Sequence, residues 1–81
     1  MSERLILKGV LQEKKMERMR LAARAQGLIT AIRQTVQPAS VRPLKDLHTD
    51  EALEIMRELH LLREHFVLLC GEIEQIEREL N

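Results

Sequence analysis

Apolar residues recur along the second half of the chain in alternating steps of three and four. The series continues without a break from Ala52 to Leu80, and such a 3.5-residue repeat is typical of the seam of a coiled coil or helical bundle. It predicts one long helix over residues 49–80. The side chains expected to face a partner helix are Ile55, Leu59, Leu62, Phe66, Leu69, Ile73, Ile76 and Leu80.

The first half of the chain has the same repeat, but two of its positions are basic. A helix is predicted over about residues 3–36, with a seam of Leu7, Leu11, Lys14, Arg18, Leu21, Ala25, Leu28 and Ile32. Seam positions normally bury apolar side chains. Gly27 lies inside this pattern, where glycine either lowers helix stability or allows another helix to approach closely.

The only two prolines lie between the two patterns. Pro38 and Pro43, within "QPASVRP", disfavour helical conformation in the residues before them, so a joint is predicted over about residues 37–48. The hydroxyl of Thr49 is expected to cap the second helix, with Asp46 as the alternative cap.

A joint of this length allows the chain to fold back on itself. We therefore expect a single all-α domain over residues 1–81, an antiparallel two-helix hairpin of the coiled-coil type in which Val36 lies near Ala52.

In this register the basic seam residues face an acidic stretch of the second helix. Lysine and arginine can lay their alkyl stems along an apolar seam, so Lys14 and Arg18 are expected to turn their charges toward Glu72, Glu74 or Glu77. Polar residues in a seam cost stability but disfavour wrong pairings. The sequence therefore predicts that these five residues fix the register by charge pairing.

The net charge of zero conceals an asymmetry between the two halves. Residues 1–45 contain ten basic and three acidic residues, and residues 46–81 contain three basic and ten acidic ones. Segments of opposite charge and similar length favour pairing with each other, and then with a charged partner.

The apolar surface of the second helix is wider than one neighbour can cover. Leu53, Met56, Val67 and Cys70 extend it beyond the seam, and an 81-residue chain buries only about 60% of its unfolded surface by itself. The sequence therefore predicts self-association, most simply as a homodimer that forms a four-helix bundle. An unidentified protein that presents its own helix is the alternative partner.

The sequence offers no constellation for catalysis, a cofactor or a metal ion. His60 and His65 are five residues apart and point in different directions on a helix, and a two-helix rod has no pocket for a catalytic triad. Cys70 is the only cysteine, which fits a reducing compartment such as the cytoplasm. We expect a non-enzymatic structural or protein-interaction module without catalytic, cofactor-binding or metal-binding residues.

The basic first helix suggests a second function, that of a small nucleic-acid-associated regulator. Lysine and arginine supply most nonspecific affinity for phosphate backbones, but Glu13 and Glu17 interrupt the basic run and no aromatic side chains are present there to stack on bases. Charge pairing is therefore the preferred interpretation. The apolar runs are too short to cross a bilayer, and no membrane partner is expected.

The stretch "EKKMERMRLAARAQGLITAIRQ", followed by a break with prolines and a regular acidic heptad helix, resembles short helical proteins of Mu-like prophages and related bacterial mobile elements. The resemblance covers most of the chain and implies a small phage-derived accessory protein. It implies no catalytic or ligand-binding residues.

Overall fold

Two long helices make up almost all of the described chain. The computed structural model describes residues 2–37 and 43–81. Helix α1 spans Glu3–Val36 and helix α2 spans Thr49–Leu80. No strand occurs in these residues, so the prediction of an all-α fold with two helices is confirmed.

The helices pack against each other as an antiparallel hairpin. Lys14 contacts Glu72, and Arg24 contacts Glu58, so residue numbers fall along one helix as they rise along the other. The hairpin is a rod 63 Å long, 16 Å wide and 15 Å thick. Its loop end holds a short 3-10 helix, Leu44–Asp46, and residues 38–42 of the predicted joint lie outside the described residues.

The helices begin in different ways. At the start of α1, the Ser2 hydroxyl oxygen accepts a hydrogen bond from the backbone N–H of Arg4 at 3.2 Å, as expected of an N-cap serine. At the start of α2 the cap position is His48, whose side chain makes no capping hydrogen bond. The predicted cap was therefore wrong, because Thr49 is already the first helical residue and Asp46 belongs to the preceding 3-10 helix.

The seam between the helices is buried unevenly. Leu69, Ile73 and Ile76 are the buried side chains of the described residues, with 3%, 1% and 8% exposure. All three lie toward the end of α2, at the open end of the hairpin where the two termini meet. The other seam residues predicted as an interface are half-buried: Leu21, Ala25, Leu28, Ile32, Ile55, Leu59, Leu62, Phe66 and Leu80.

The length of the opposing side chains on α1 explains this difference. The ion pair of Lys14 with Glu72 places the basic part of the α1 seam beside the buried part of α2, and Lys14 and Arg18 are themselves half-buried. Their long alkyl stems cover apolar neighbours while the charged ends reach solvent. Toward the middle of the rod the seam of α1 instead presents the short side chain of Ala25, so α2 is less well covered there.

Gly27 does not allow a close helix approach within the hairpin. A Cβ atom built at Gly27 would meet nothing within 4 Å, and the residue is exposed. Of the two roles expected from the sequence, only the cost in helix stability applies in this fold.

Candidate interaction surface

An apolar groove opens between the helices near the middle of the rod. It has a volume of about 400 Å³ and is open to solvent along one side. It forms because Ala22 and Ala25 of α1 are too short to fill the space opposite Phe66 of α2. The lining residues are Leu21, Ala22, Ala25, Gln26, Leu59, Leu62, Arg63 and Phe66.

The groove lies on one side of the hairpin, which we call the groove face. With the seam at heptad positions a and d, this face carries positions e and b of both helices. Six large apolar side chains on it are between 39% and 71% exposed: Leu5, Met19, Val36, Leu53, Met56 and Val67. Single exposed apolar residues are common on proteins, whereas a row of them along one side marks an interaction surface.

The opposite side, which we call the charged face, is occupied by ion pairs between the helices. Arg24 of α1 pairs with Glu58 of α2, and His65 Nε2 lies 3.6 Å from Glu17 Oε1. These residues occupy heptad position g. The exposed Ile6, Leu61 and Leu68 lie beyond them at position c, separated from the seam by the charged groups.

Two of the residues predicted to pair charges do so as expected. Lys14 Nζ lies 2.6 Å from Glu72 Oε2 and donates a hydrogen bond to it. Glu77 is also paired, but with Lys15, at 3.6 Å between Nζ and Oε2. The predicted acidic stretch of α2 therefore does face the basic stretch of α1.

The pairing predicted for Arg18 and Glu74 is absent from the hairpin. Neither side chain has an ion pair or hydrogen bond among the described residues. Arg18 is half-buried in the seam, and the acid nearest in the sequence pattern, Glu72, is already bound to Lys14. Glu74 occupies position b, which points it away from the seam and onto the groove face.

Three ion pairs between the helices were not predicted from the sequence. These pairs are Lys15–Glu77, Arg24–Glu58 and His65–Glu17. Each pair joins equivalent heptad positions, e with e or g with g. These are the positions that flank the seam and face each other in an antiparallel pair of helices. Extending the predicted register from the seam to these flanking positions would have found them.

No group of three or more His, Cys, Asp or Glu side chains is placed to hold a metal ion in residues 2–37 and 43–81. Cys70 is a half-buried free thiol. The ion pairs are partly exposed, and pairs of this kind contribute about 0–1 kcal/mol each. The surface therefore offers a partner an apolar area to pack against, with charges at defined places along it.

Comparison with protein-family models, curated proteins and solved structures found no significant match. The resemblance to prophage proteins therefore stays a prediction. In the described part of the chain, neither helix combines the length and the apolar character needed to cross a membrane.

Proposed function

We propose that the protein is a non-enzymatic structural or protein-interaction module that works by associating with itself. Two hairpins would pack together as a homodimer, which forms a four-helix bundle. The observation that supports this proposal is the imbalance in burial. A rod 63 Å long buries three side chains in its described part, while six large apolar side chains lie exposed along its groove face.

That imbalance in burial has an energetic consequence. Fully burying a large apolar side chain contributes roughly 1.5 to 3 kcal/mol, and small domains have a net stability of only about 5 to 15 kcal/mol. Covering the groove face would therefore add a substantial part of the total stability. It would also remove an apolar strip that otherwise favours aggregation.

The proposal also explains the use of the basic residues on α1. Lys14, Lys15 and Arg24 bind glutamates of α2 in the same chain, so they take part in the pairing of the helices. This supports charge pairing over phosphate binding as the role of the basic segment.

Light scattering coupled to size-exclusion chromatography tests the proposal on the full chain. One chain has a mass of 9.5 kDa, and we expect twice that mass at micromolar concentration, together with a helical circular dichroism spectrum. A helical protein that stays at the mass of one chain under these conditions would contradict the proposal.

A further inference from the structure

We propose that the groove face binds the groove face of a second copy, with both hairpins pointing the same way. The two-fold axis then runs along the length of the rods, and α1 of each chain lies against α2 of the other. This inference rests on the proposed function, since it specifies how the self-association takes place. The charges along the groove face are what select this arrangement.

The size of the face suits a dimer. A surface 63 Å long and 16 Å wide offers about 1000 Å², and stable interfaces bury about 800 Å² on each partner. The face is mainly apolar over its middle, where Gln26 and Arg63 are the polar residues that line the groove, and it is charged toward the open end. Such a surface can be self-complementary if its charges meet charges of opposite sign.

The charges on the groove face are of opposite sign on the two helices. At the open end, α1 presents Lys8 and Lys15, and α2 presents Glu74 and Glu77. The contact between Lys14 and Glu72 shows that these stretches lie at the same level of the rod. Lys8 and Glu74 are exposed, and neither has an ion pair among the described residues.

With the hairpins pointing the same way, α1 faces α2 of the second copy at the same level. Lys8 and Lys15 then lie near Glu74 and Glu77 of the other chain. At the loop end the apolar Ile29 of α1 comes near the partner's Met56. Unlike charges meet at the open end. At the loop end apolar side chains meet, and Arg33 comes near Leu53 of the other chain, where it meets no like charge.

If the hairpins instead point in opposite directions, the two-fold axis crosses the rods at the level of the groove. Each helix then faces the same helix of the other chain. Lys15 then lies near Arg33 of the other chain, and Arg63, which lines the groove, lies near Arg63 of the other chain. Both contacts bring like charges together, which disfavours this orientation. The charges therefore favour the arrangement with both hairpins pointing the same way, whereas the apolar groove supplies most of the affinity in either arrangement.

The charged face is a poorer interface. Its Arg24–Glu58 and Glu17–His65 pairs would lose water on contact with a second copy, and such desolvation offsets the gain from burying apolar neighbours. Among the described residues, the ion pair between the helices on the groove face is Lys15–Glu77, which lies toward the open end, so the middle of this face would be covered without burying such a pair.

Two neighbouring residues on α2 provide a matched test of the face. Val67 lies on the groove face and Leu68 on the other side, and both are exposed in the single hairpin, at 51% and 68%. We expect Val67→Glu to weaken dimerisation by about tenfold or more, since it places an unpaired charge in the interface. Leu68→Glu should leave dimerisation unchanged. The opposite pattern, or an equal effect of both, would overturn the choice of face.

The direction of the hairpins is tested by a distance between spin labels. Leu44 in the loop end is 79% exposed, and Leu44→Cys in a Cys70→Ala background provides one labelling site per chain. Pulsed electron paramagnetic resonance on the dimer should give a distance below half of the 63 Å rod length. A distance close to that length would overturn the proposed arrangement.

Together with light scattering, the two experiments above separate this inference from the proposed function. A monomer by light scattering contradicts the proposed function and the inference together. A dimer whose loop labels are far apart contradicts only the arrangement, and a dimer disrupted by Leu68→Glu but not by Val67→Glu contradicts only the face.

Discussion

Lys14 of α1 and Glu72 of α2 form an ion pair, with 2.6 Å between Nζ and Oε2, beside the most deeply buried part of α2. The Lys14 side chain is only 29% exposed. A basic residue at a seam position therefore does not open the hairpin. Its stem contributes to covering the apolar side chains, and its charge is neutralised at the edge of the seam.

Replacing Lys14 and Arg18 with leucine should raise the thermal stability of the protein. The Lys14–Glu72 pair is partly exposed and its loss costs less than about 1 kcal/mol, whereas each leucine adds apolar burial in the seam. We expect the midpoint of thermal unfolding by circular dichroism to rise by several degrees. The choice of oligomer should become less strict, with larger species visible by light scattering.

Arg20→Leu is the matched control for that double substitution. Arg20 is exposed on the same helix, so its replacement should leave the unfolding midpoint almost unchanged. If Lys14→Leu with Arg18→Leu unfolds the protein, the two charges belong to a buried network whose loss is destabilising, and our interpretation of the seam is wrong.

The ion pair between Arg24 and Glu58 should be detectable by charge reversal. Arg24→Glu or Glu58→Arg alone places like charges together and should lower the free energy of unfolding by up to about 1 kcal/mol. The double reversal restores an attractive pair and should recover most of the loss. Chemical denaturation at low and high salt measures this, because salt screens exposed pairs.

Glu54→Arg controls for the change in net charge, since Glu54 is exposed and has no ion pair among the described residues. Single reversals that match this control would show that the Arg24–Glu58 pair contributes nothing in solution.

Gly71→Ala should stabilise the protein. A Cβ atom at Gly71 meets nothing within 4 Å, and alanine in a helix is favoured over glycine by about 1 kcal/mol. Gly27→Ala should act in the same direction for the same reason. A fall in the unfolding midpoint for Gly27→Ala alone would indicate that another helix packs against this position in the assembly.

Short duplex DNA should not bind the protein in a salt-sensitive way. Three lysine or arginine side chains of α1 are already paired with glutamates of α2, and the acidic half of the chain lies beside the basic half. Fluorescence anisotropy at low salt measures binding. An affinity that falls by orders of magnitude between low and physiological salt would favour the nucleic-acid function instead.

The sequence predicted the helices and the seam because both depend on a repeat that is visible without coordinates. Leu69, Ile73 and Ile76 were placed in the seam correctly, but the repeat does not say how deeply each member is buried. That depth depends on the side chain opposite, which is long at Lys14 and short at Ala25. Sequence reasoning therefore missed the groove.

The errors at single residues have similar causes. The cap of α2 was misplaced because the 3-10 helix Leu44–Asp46 is a tertiary detail that proline positions do not define. Glu74 was expected to pair within the hairpin because it is near Lys14 in register. Glu74 instead points away from the seam. It lies about half a helical turn around α2 from Glu72, which is enough to take its carboxylate out of reach of Lys14.

The buried cluster of Leu69, Ile73 and Ile76 lies where the beginning and the end of the chain come together. The Lys14–Glu72 contact beside it joins residues 58 positions apart. During synthesis α2 must therefore leave the ribosome at least as far as Ile76 before this part can pack, and until then the α1 seam lacks this cover. A probe attached at the exposed Leu44 lies far from this best-packed region, so the loop end is the safer place for it.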